Sequence, residues 1–240
     1  MSAPAGPPAA VVLDIEGTTG SLTHVHNLLF PYARQRFENW LTAQRNSSQS
    51  AELLAAVRNH VGSATLPLGD AIAVLEDWSD TDTKAPPLKT LQAAIWSEGY
   101  RNGDLTGHVY PDVPAALERW KAAGSQRYIY SSGAVAAQRD WFAHTAFGDL
   151  TPLINGYFDL TTAGGKREPD SYRALTTAIA VRPEATLFVS DVAEELDAAA
   201  EAGWQTLAVR RPDDPREAAV PGHRCVAGLH GPADSLLGQS

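Results

Sequence analysis

From residue 107 onward the chain alternates short apolar runs with stretches of helical spacing, and this alternation limits the possible folds more than any other feature. A run such as 187–189 suits a strand that is buried on both faces. Repeated strand–helix units form parallel sheets with helices packed on the two faces. The pattern therefore predicts an α/β fold built on a doubly wound parallel sheet.

Five strands and the helices between them follow from this pattern. The predicted strands are residues 10–13, 128–130, 157–160, 187–189 and 206–209. Asp112 is expected to cap the first helix of this region, which holds Pro114 near its start and ends at Gly124. Further helices are predicted over residues 134–146 and 193–202, and another opens near Pro169. The tail from residue 213 has no clear pattern.

The segment before residue 105 has a different character. Apolar residues recur there at helical spacing over residues 28–41, 51–61 and 88–96, with polar or Pro-rich links such as 85–87. No strand pattern interrupts them. We therefore expect a catalytic core formed by residues 1–22 and 105–240, with residues 23–104 as an all-helical inserted domain.

Charge and cysteine content narrow the classes of partner. The 240 residues carry 19 basic and 28 acidic side chains, a net charge of −9, which disfavours nucleic acids and anionic membranes as partners. The one cysteine, Cys225, excludes an intrachain disulfide and a cysteine-based zinc site, and fits a reducing cytoplasm. With no secretion signal in the first ten residues and no apolar run of membrane length, we expect a cytoplasmic protein.

Polar side chains that could carry chemistry follow four of the five predicted strands. Ligands of such sheets bind beyond the carboxyl ends of the strands, so these side chains are expected to meet at one edge. They are Asp14 and Glu16 after the first strand, Ser131 and Ser132 after the second, Lys166 after the third and Asp191 after the fourth.

This set has a coherent chemistry. Two carboxylates, Asp14 and Asp191, with a phosphate oxygen and waters, suit octahedral Mg²⁺. The Ser131 and Ser132 hydroxyls, together with amides at a helix start, can hold an anion. Lys166 adds a fixed positive charge. A carboxylate beside Mg²⁺ can attack phosphorus, and Glu16 could then protonate the leaving oxygen and later activate water.

Motifs in this order resemble the haloacid dehalogenase superfamily of phosphotransferases: Asp14-x-Glu16-Gly17-Thr18, Ser131, Lys166, and Asp191 with Glu195 four residues later. Longer strings are similar to those of the enolase-phosphatases (acireductone synthases) of methionine salvage, over roughly residues 11–211. They are Asp14-Ile-Glu-Gly-Thr-Thr19, Leu29-Phe-Pro-Tyr-Ala33, Gly107-His-Val-Tyr-Pro-Asp-Val113, Ile129-Tyr-Ser-Ser-Gly133, Gly148-Asp-Leu-Thr-Pro152 and Lys166-Arg-Glu168 with Ser171-Tyr172.

The resemblance implies a Rossmann-like core, an inserted cap domain and a two-step reaction. The substrate would be 2,3-diketo-5-methylthiopentyl-1-phosphate, enolised and then dephosphorylated to the acireductone by a monomeric enzyme with one Mg²⁺. By position, the resemblance implies that the metal-site acids are Asp14, Glu16 and Asp191. It also implies that Asp14 is the nucleophile. The phosphate binders would be Ser131, Ser132 and Lys166.

Several alternatives stay open at this point. Glu16 stands where the wider superfamily has Asp. Its longer side chain could serve proton transfer or contact the metal directly. Alternatively, Glu16 could contact the metal through its backbone carbonyl. Glu195 could orient Lys166 or a metal-bound water, or it could bind the metal directly. The rival functions are another capped phosphatase of the superfamily, a metal-independent haloacid dehalogenase and an inactive binding module. Too few ligands accompany His24 and His26 for a zinc site.

Overall fold

The computed structural model describes residues 6–212, 214, 216 and 219–230, so the two ends of the predicted core domain lie outside the described residues. The described chain forms two compact units. One contains the residues up to Leu22 and those from Thr106 onward, and the other contains Thr23–Leu105.

A parallel sheet forms the centre of the first unit. The described residues contribute six strands to it: β1 (Ala10–Leu13), β2 (Gln126–Tyr130), β3 (Gly156–Phe158), β4 (Thr186–Ser190), β5 (Gln205–Val209) and β6 (Cys225–Val226). Their order is β3-β2-β1-β4-β5-β6, and every neighbouring pair is parallel. The chain therefore winds to one side of β1 and then to the other, as a doubly wound sheet requires.

The second unit is helical throughout its described residues. Its elements, with one short helix that begins at the junction, are α1 (Leu22–His24), a π-helical turn (Val25–Leu29), α2 (Phe30–Arg34), α3 (Phe37–Ala43), α4 (Ser48–Val61), α5 (Leu68–Asp80) and α6 (Pro86–Asn102). They enclose their own apolar core, which includes Phe37, Leu75 and Leu91. The fold class predicted from the sequence, a doubly wound sheet with an all-helical insertion, is confirmed.

Local details of the helical unit differ from the sequence prediction. The spacing over residues 28–41 suggested one helical run, but the chain turns between α2 and α3. The prediction also gave no helix for residues 68–80, and it assigned 85–87 to a link. Instead Pro86 and Pro87 begin α6. Proline is tolerated there because the N–H groups in the first turn of a helix have no acceptor within the helix, so its lack of an N–H loses no hydrogen bond.

Among the described residues of the first unit, four α-helices accompany the strands. They are α7 (Val113–Ala122), α8 (Val135–Ala143), α9 (Pro169–Ile179) and α10 (Ala193–Glu201). The apolar side chains Leu117, Trp120 and Leu175 are buried, as their spacing predicts. Among the described residues no helix is both long and apolar enough to cross a bilayer.

Two local expectations for the first unit were wrong. Asp112 stands before α7, but its side chain does not cap that helix, because Arg211 and the Leu229 amide take its oxygens. The second helix, α8, ends at Ala143 and not near residue 146. The tail also contributes β6, a two-residue strand too short to leave a sequence pattern.

Candidate active site

The site lies where the winding of the sheet reverses, between β1 and β4. Leu13 is paired with Val189, and the amide of Asp14 donates to the Val189 carbonyl at 3.0 Å. Asp14 and Asp191 therefore leave the sheet from adjacent strands at their carboxyl ends. Ligands of doubly wound sheets bind at this reversal point.

A tight loop follows β1 and fixes the direction of Asp14. The amides of Thr18, Thr19 and Gly20 donate to the carbonyl of Ile15 at 3.1, 3.0 and 2.7 Å. The Thr19 hydroxyl donates to the Asp14 carbonyl at 2.8 Å. The backbone at Asp14 is therefore held before any ligand arrives.

Lys166 lies between two buried carboxylates. Its Nζ is 2.6 Å from Asp14 Oδ1 and 2.7 Å from Glu195 Oε2. Glu195 is itself fixed by the Ser190 hydroxyl, which donates to the same Oε2 at 2.9 Å. Among the roles considered for Glu195, the orientation of Lys166 has this contact in its favour.

Burial and the neighbouring charges shift the pKa values of Asp14 and Lys166. Burial raises the pKa of Asp14 well above its ordinary value, and the negative charges of Glu195 and Asp191 add to this, while Lys166 opposes it. Burial alone would lower the pKa of Lys166, but the Asp14 and Glu195 carboxylates raise it above its ordinary value. Lys166 thus stays protonated, and its charge favours the ionised form of Asp14.

Asp191 is held from several sides. The Thr18 hydroxyl donates to its Oδ1 at 3.3 Å, and the Arg216 guanidinium forms an ion pair with its Oδ2. Arg210 donates to its backbone carbonyl at 2.8 Å. Asp191 is only 3% exposed, so these donors offset the cost of burying its charge.

Gly17 packs directly against the Asp191 carboxylate and adopts a φ of +76°. A Cβ at this position would overlap Asp191 Oδ2 and come within 2.8 Å of its Cγ. Both the backbone conformation and the close approach therefore require glycine here.

We predict that Gly17→Ala lowers phosphatase activity at least about 100-fold, because the loop or Asp191 must shift by an ångström or so. Gly62→Ala is the matched control: Gly62 also has a positive φ, +70°, but has no atom within 4 Å of an added Cβ. Phosphate release by Gly17→Ala equal to that of the control would show that this packing has no functional role.

Ser131 and Ser132 occupy the turn after β2, the strand beside β1. Ser131 is buried and its hydroxyl accepts from the Gly133 amide at 3.3 Å, whereas Ser132 is exposed. Gln138 ties this turn to β3 by donating to the carbonyls of Gly133 and Phe158 at 2.6 and 2.9 Å. The turn is thus rigid and lies at the same edge of the sheet as Asp14.

The donor set at the reversal point fits a small hard cation. Asp14 and Asp191 offer buried carboxylate oxygens, and Mg²⁺ is usually held by one or two carboxylates with waters and substrate oxygens. In the part of the chain that the structure describes, no group of three His, Cys, Asp or Glu side chains could hold a metal. The described side chains that fit such an ion are thus the two carboxylates of Asp14 and Asp191.

The sequence prediction missed the arginines of the site. It found a candidate side chain after every strand but the fifth, yet Arg210 and Arg211 follow β5 directly. The position of these residues at a strand's carboxyl end was the available signal. Thr18 stands in the first motif, but no role was assigned to it.

Comparison with known proteins agrees with this geometry. Residues 8–203 match the model of a family of hydrolases, the haloacid dehalogenase-like hydrolases. The chain belongs to this family. Among its relatives is enolase-phosphatase E1 of Frankia alni, 46% identical over 95% of this chain and 96% of the relative. The same enzyme of Citrobacter koseri is 48% identical over 84% of this chain and 88% of the relative.

A solved structure has a similar fold over nearly the whole chain. The UTR4 protein of Saccharomyces cerevisiae superimposes with a TM-score of 0.78 at 29% identity, covering 92% of this chain and 98% of that one. Within the haloacid dehalogenase-like hydrolases, the two relatives from Frankia alni and Citrobacter koseri show that this chain belongs with the enolase-phosphatases.

Proposed function

We propose that this member of the enolase-phosphatases converts 2,3-diketo-5-methylthiopentyl-1-phosphate to acireductone, 1,2-dihydroxy-3-keto-5-methylthiopentene, in methionine salvage. The reaction is an enolisation followed by dephosphorylation. The buried array of Asp14, Lys166 and Glu195 carries the proposal, because it supplies an oriented carboxylate at the ligand-binding edge of the sheet. The names of the relatives point to the two-step activity.

Asp14 is the proposed nucleophile of the phosphatase step. One of its carboxylate oxygens attacks phosphorus, the bond to the ester oxygen breaks, and an aspartyl-phosphate forms. Glu16 gives a proton to the departing oxygen. It then takes one from the water that attacks the same phosphorus, which releases phosphate and restores Asp14. Lys166 favours the ionised form of Asp14 and holds its direction throughout.

The phosphate group is held by the turn after β2. The Ser131 and Ser132 hydroxyls and the amides of this turn offer hydrogen-bond donors to its oxygens. Lys166, next to the nucleophile, supplies the nearby positive charge that an acidic protein needs to retain a phosphate.

Asp14 and Asp191, with Glu16, would hold one Mg²⁺. When bound, this ion offsets the repulsion between the Asp14 carboxylate and the anionic phosphoryl group. Lys166 and Arg216 neutralise the same two carboxylates in the structure. We propose in addition that Glu16, with its longer side chain, serves proton transfer in the enolisation.

Partners and location follow from the same resemblance. The proposed ligand is a small phosphate ester, and the proposed state is a cytoplasmic monomer. Neither a nucleic acid nor a membrane is proposed as a partner, since the net charge of −9 disfavours both.

Removal of divalent cations tests the metal dependence of this proposal. We expect EDTA to abolish phosphate release from the diketo phosphate ester, and an excess of Mg²⁺ to restore it. A haloacid dehalogenase would need no metal for its own reaction. Phosphate release that continues at the same rate after chelation would contradict the proposed chemistry.

A further inference from the structure

Arg211 holds the loop that follows β1 by one backbone carbonyl. Its Nε and Nη2 both donate to the Thr18 oxygen, at 2.8 and 2.5 Å. Arg211 is 4% exposed and lies 193 positions away from Thr18 in the sequence. Two donors on a single carbonyl fix both the position and the plane of that peptide group.

Thr18 is tied to the site at its other end. While its carbonyl accepts from Arg211, its hydroxyl donates to Asp191 Oδ1 at 3.3 Å. Gly17, the preceding residue, packs against the other oxygen of the same carboxylate. The part of the nucleophile loop that Arg211 holds is therefore the part that contacts Asp191, the acid that follows β4.

Arg211 is itself rigidly anchored. Its Nη1 donates to both oxygens of the buried Asp112 at 2.9 and 2.8 Å. Its guanidinium lies 4.1 Å from the centre of the Tyr110 ring, and the Tyr110 amide donates to the Thr19 carbonyl at 3.0 Å. Asp112 also accepts from the Leu229 amide, which joins the last described segment to the same cluster.

Asp112 and Arg211 form a buried ion pair. Burial alone would raise the pKa of Asp112, but the Leu229 amide and Arg211 lower it below its ordinary value. Asp112 is therefore held in its ionised form beside Arg211, and an ion pair of this kind is a fixed support. A neutral contact would leave the Thr18 peptide freer to rotate.

We propose that Arg211 is a positioning residue of the proposed cation site. By holding the Thr18 carbonyl, it fixes the Thr18 hydroxyl and Gly17 against Asp191, and so orients the carboxylate that binds the divalent cation. The inference rests on the proposed function, because it requires Asp191 to be a ligand of that cation. Groups that orient metal ligands in this way typically contribute about 10–100-fold to metal affinity.

Mn²⁺ binding, followed by the electron paramagnetic resonance signal of the free ion, tests the inference without any substrate. The variant is Arg211→Lys, which keeps the charge beside Asp112 but cannot direct two donors onto Thr18 and two onto Asp112. We expect its Kd for Mn²⁺ to rise at least about tenfold above that of the wild type.

The matched control is Arg127→Lys. Arg127 is also buried and also donates to backbone carbonyls, those of Leu153 and Ser125, but it lies near the amino end of β2. A purely structural loss would lower Tm in both variants and leave the Kd for Mn²⁺ unchanged in both. We expect only Arg211→Lys to change the Kd.

Asp191→Asn separates the inference from the proposed function. If Asp191→Asn loses Mn²⁺ binding while Arg211→Lys binds as tightly as the wild type, the positioning role is overturned and the metal site stands. If Asp191→Asn binds Mn²⁺ like the wild type, the metal site is overturned, and this inference with it. If Arg211→Lys does not fold, the double variant Arg211→Gln with Asp112→Asn is titrated with Mn²⁺ in its place. This double variant removes both buried charges together, so neither is left without a partner.

Discussion

Asp14→Asn is expected to lower phosphate release at least about 1,000-fold, because an amide oxygen is a far weaker nucleophile than a carboxylate. Asparagine has nearly the volume of aspartate, and Lys166 keeps Glu195 as its partner at 2.7 Å, so the fold should survive. Phosphate release is measured with saturating Mg²⁺, and the enol absorbance is recorded in parallel to follow the first step.

Asp170→Asn is the control for this substitution. Asp170 lies in the first turn of α9, its side chain is 89% exposed, and it pairs with Arg173 at the protein surface. It should release phosphate at the wild-type rate. An unchanged rate in Asp14→Asn as well would contradict a covalent role for Asp14.

Lys166→Met should have the largest effect on stability. It leaves Asp14 and Glu195 buried without their shared cation, and the loss of one partner of a buried ion pair typically costs about 3–5 kcal/mol. Phosphate release should also fall, at least about 100-fold, because Asp14 then loses the cation that orients it. Urea unfolding measures the free energy of unfolding, and a phosphate assay measures the rate.

The pH dependence of this variant has a definite sign. Burial and the neighbouring carboxylates raise the pKa of Asp14, and Lys166 opposes this in the wild type. Without Lys166 the folded state binds a proton that the unfolded state releases, so stability should increase as the pH falls from the raised pKa toward the ordinary one. A variant that becomes less stable over that interval would contradict the assignment.

Two further variants complete the test of Lys166. Lys166→Met with Glu195→Gln removes one of the two uncompensated charges and should recover part of the lost stability. Lys121→Met changes an exposed lysine of α7 and should unfold like the wild type. Equal stability of Lys166→Met and Lys121→Met would show that the buried array contributes nothing.

Much of the first unit could be predicted from the sequence because its signals are local. The strand at Ala10–Leu13 is uniformly apolar, and the structure buries all four residues. Parallel strands bring their carboxyl ends to one edge, so Asp14, Ser131 and Asp191 could be placed together without any coordinates. The metal and phosphate roles of these residues stay predictions.

The supports of the site could not be predicted, because they depend on pairings between distant residues. Asp112 stands where a helix cap is expected, and only the fold shows that Arg211, 99 positions away, takes its carboxylate. Arg211 likewise reaches Thr18 across almost the whole sequence. Arg216 pairs with Asp191 from 25 positions away in the sequence.

The order of the two chemical steps tests the central proposal most directly. The diketo phosphate ester is supplied with Mg²⁺, and the enol absorbance and the released phosphate are recorded over the same time course. We predict that the absorbance rises before phosphate appears. Phosphate release with no preceding enol signal would contradict the proposal and indicate a phosphatase for another small ester.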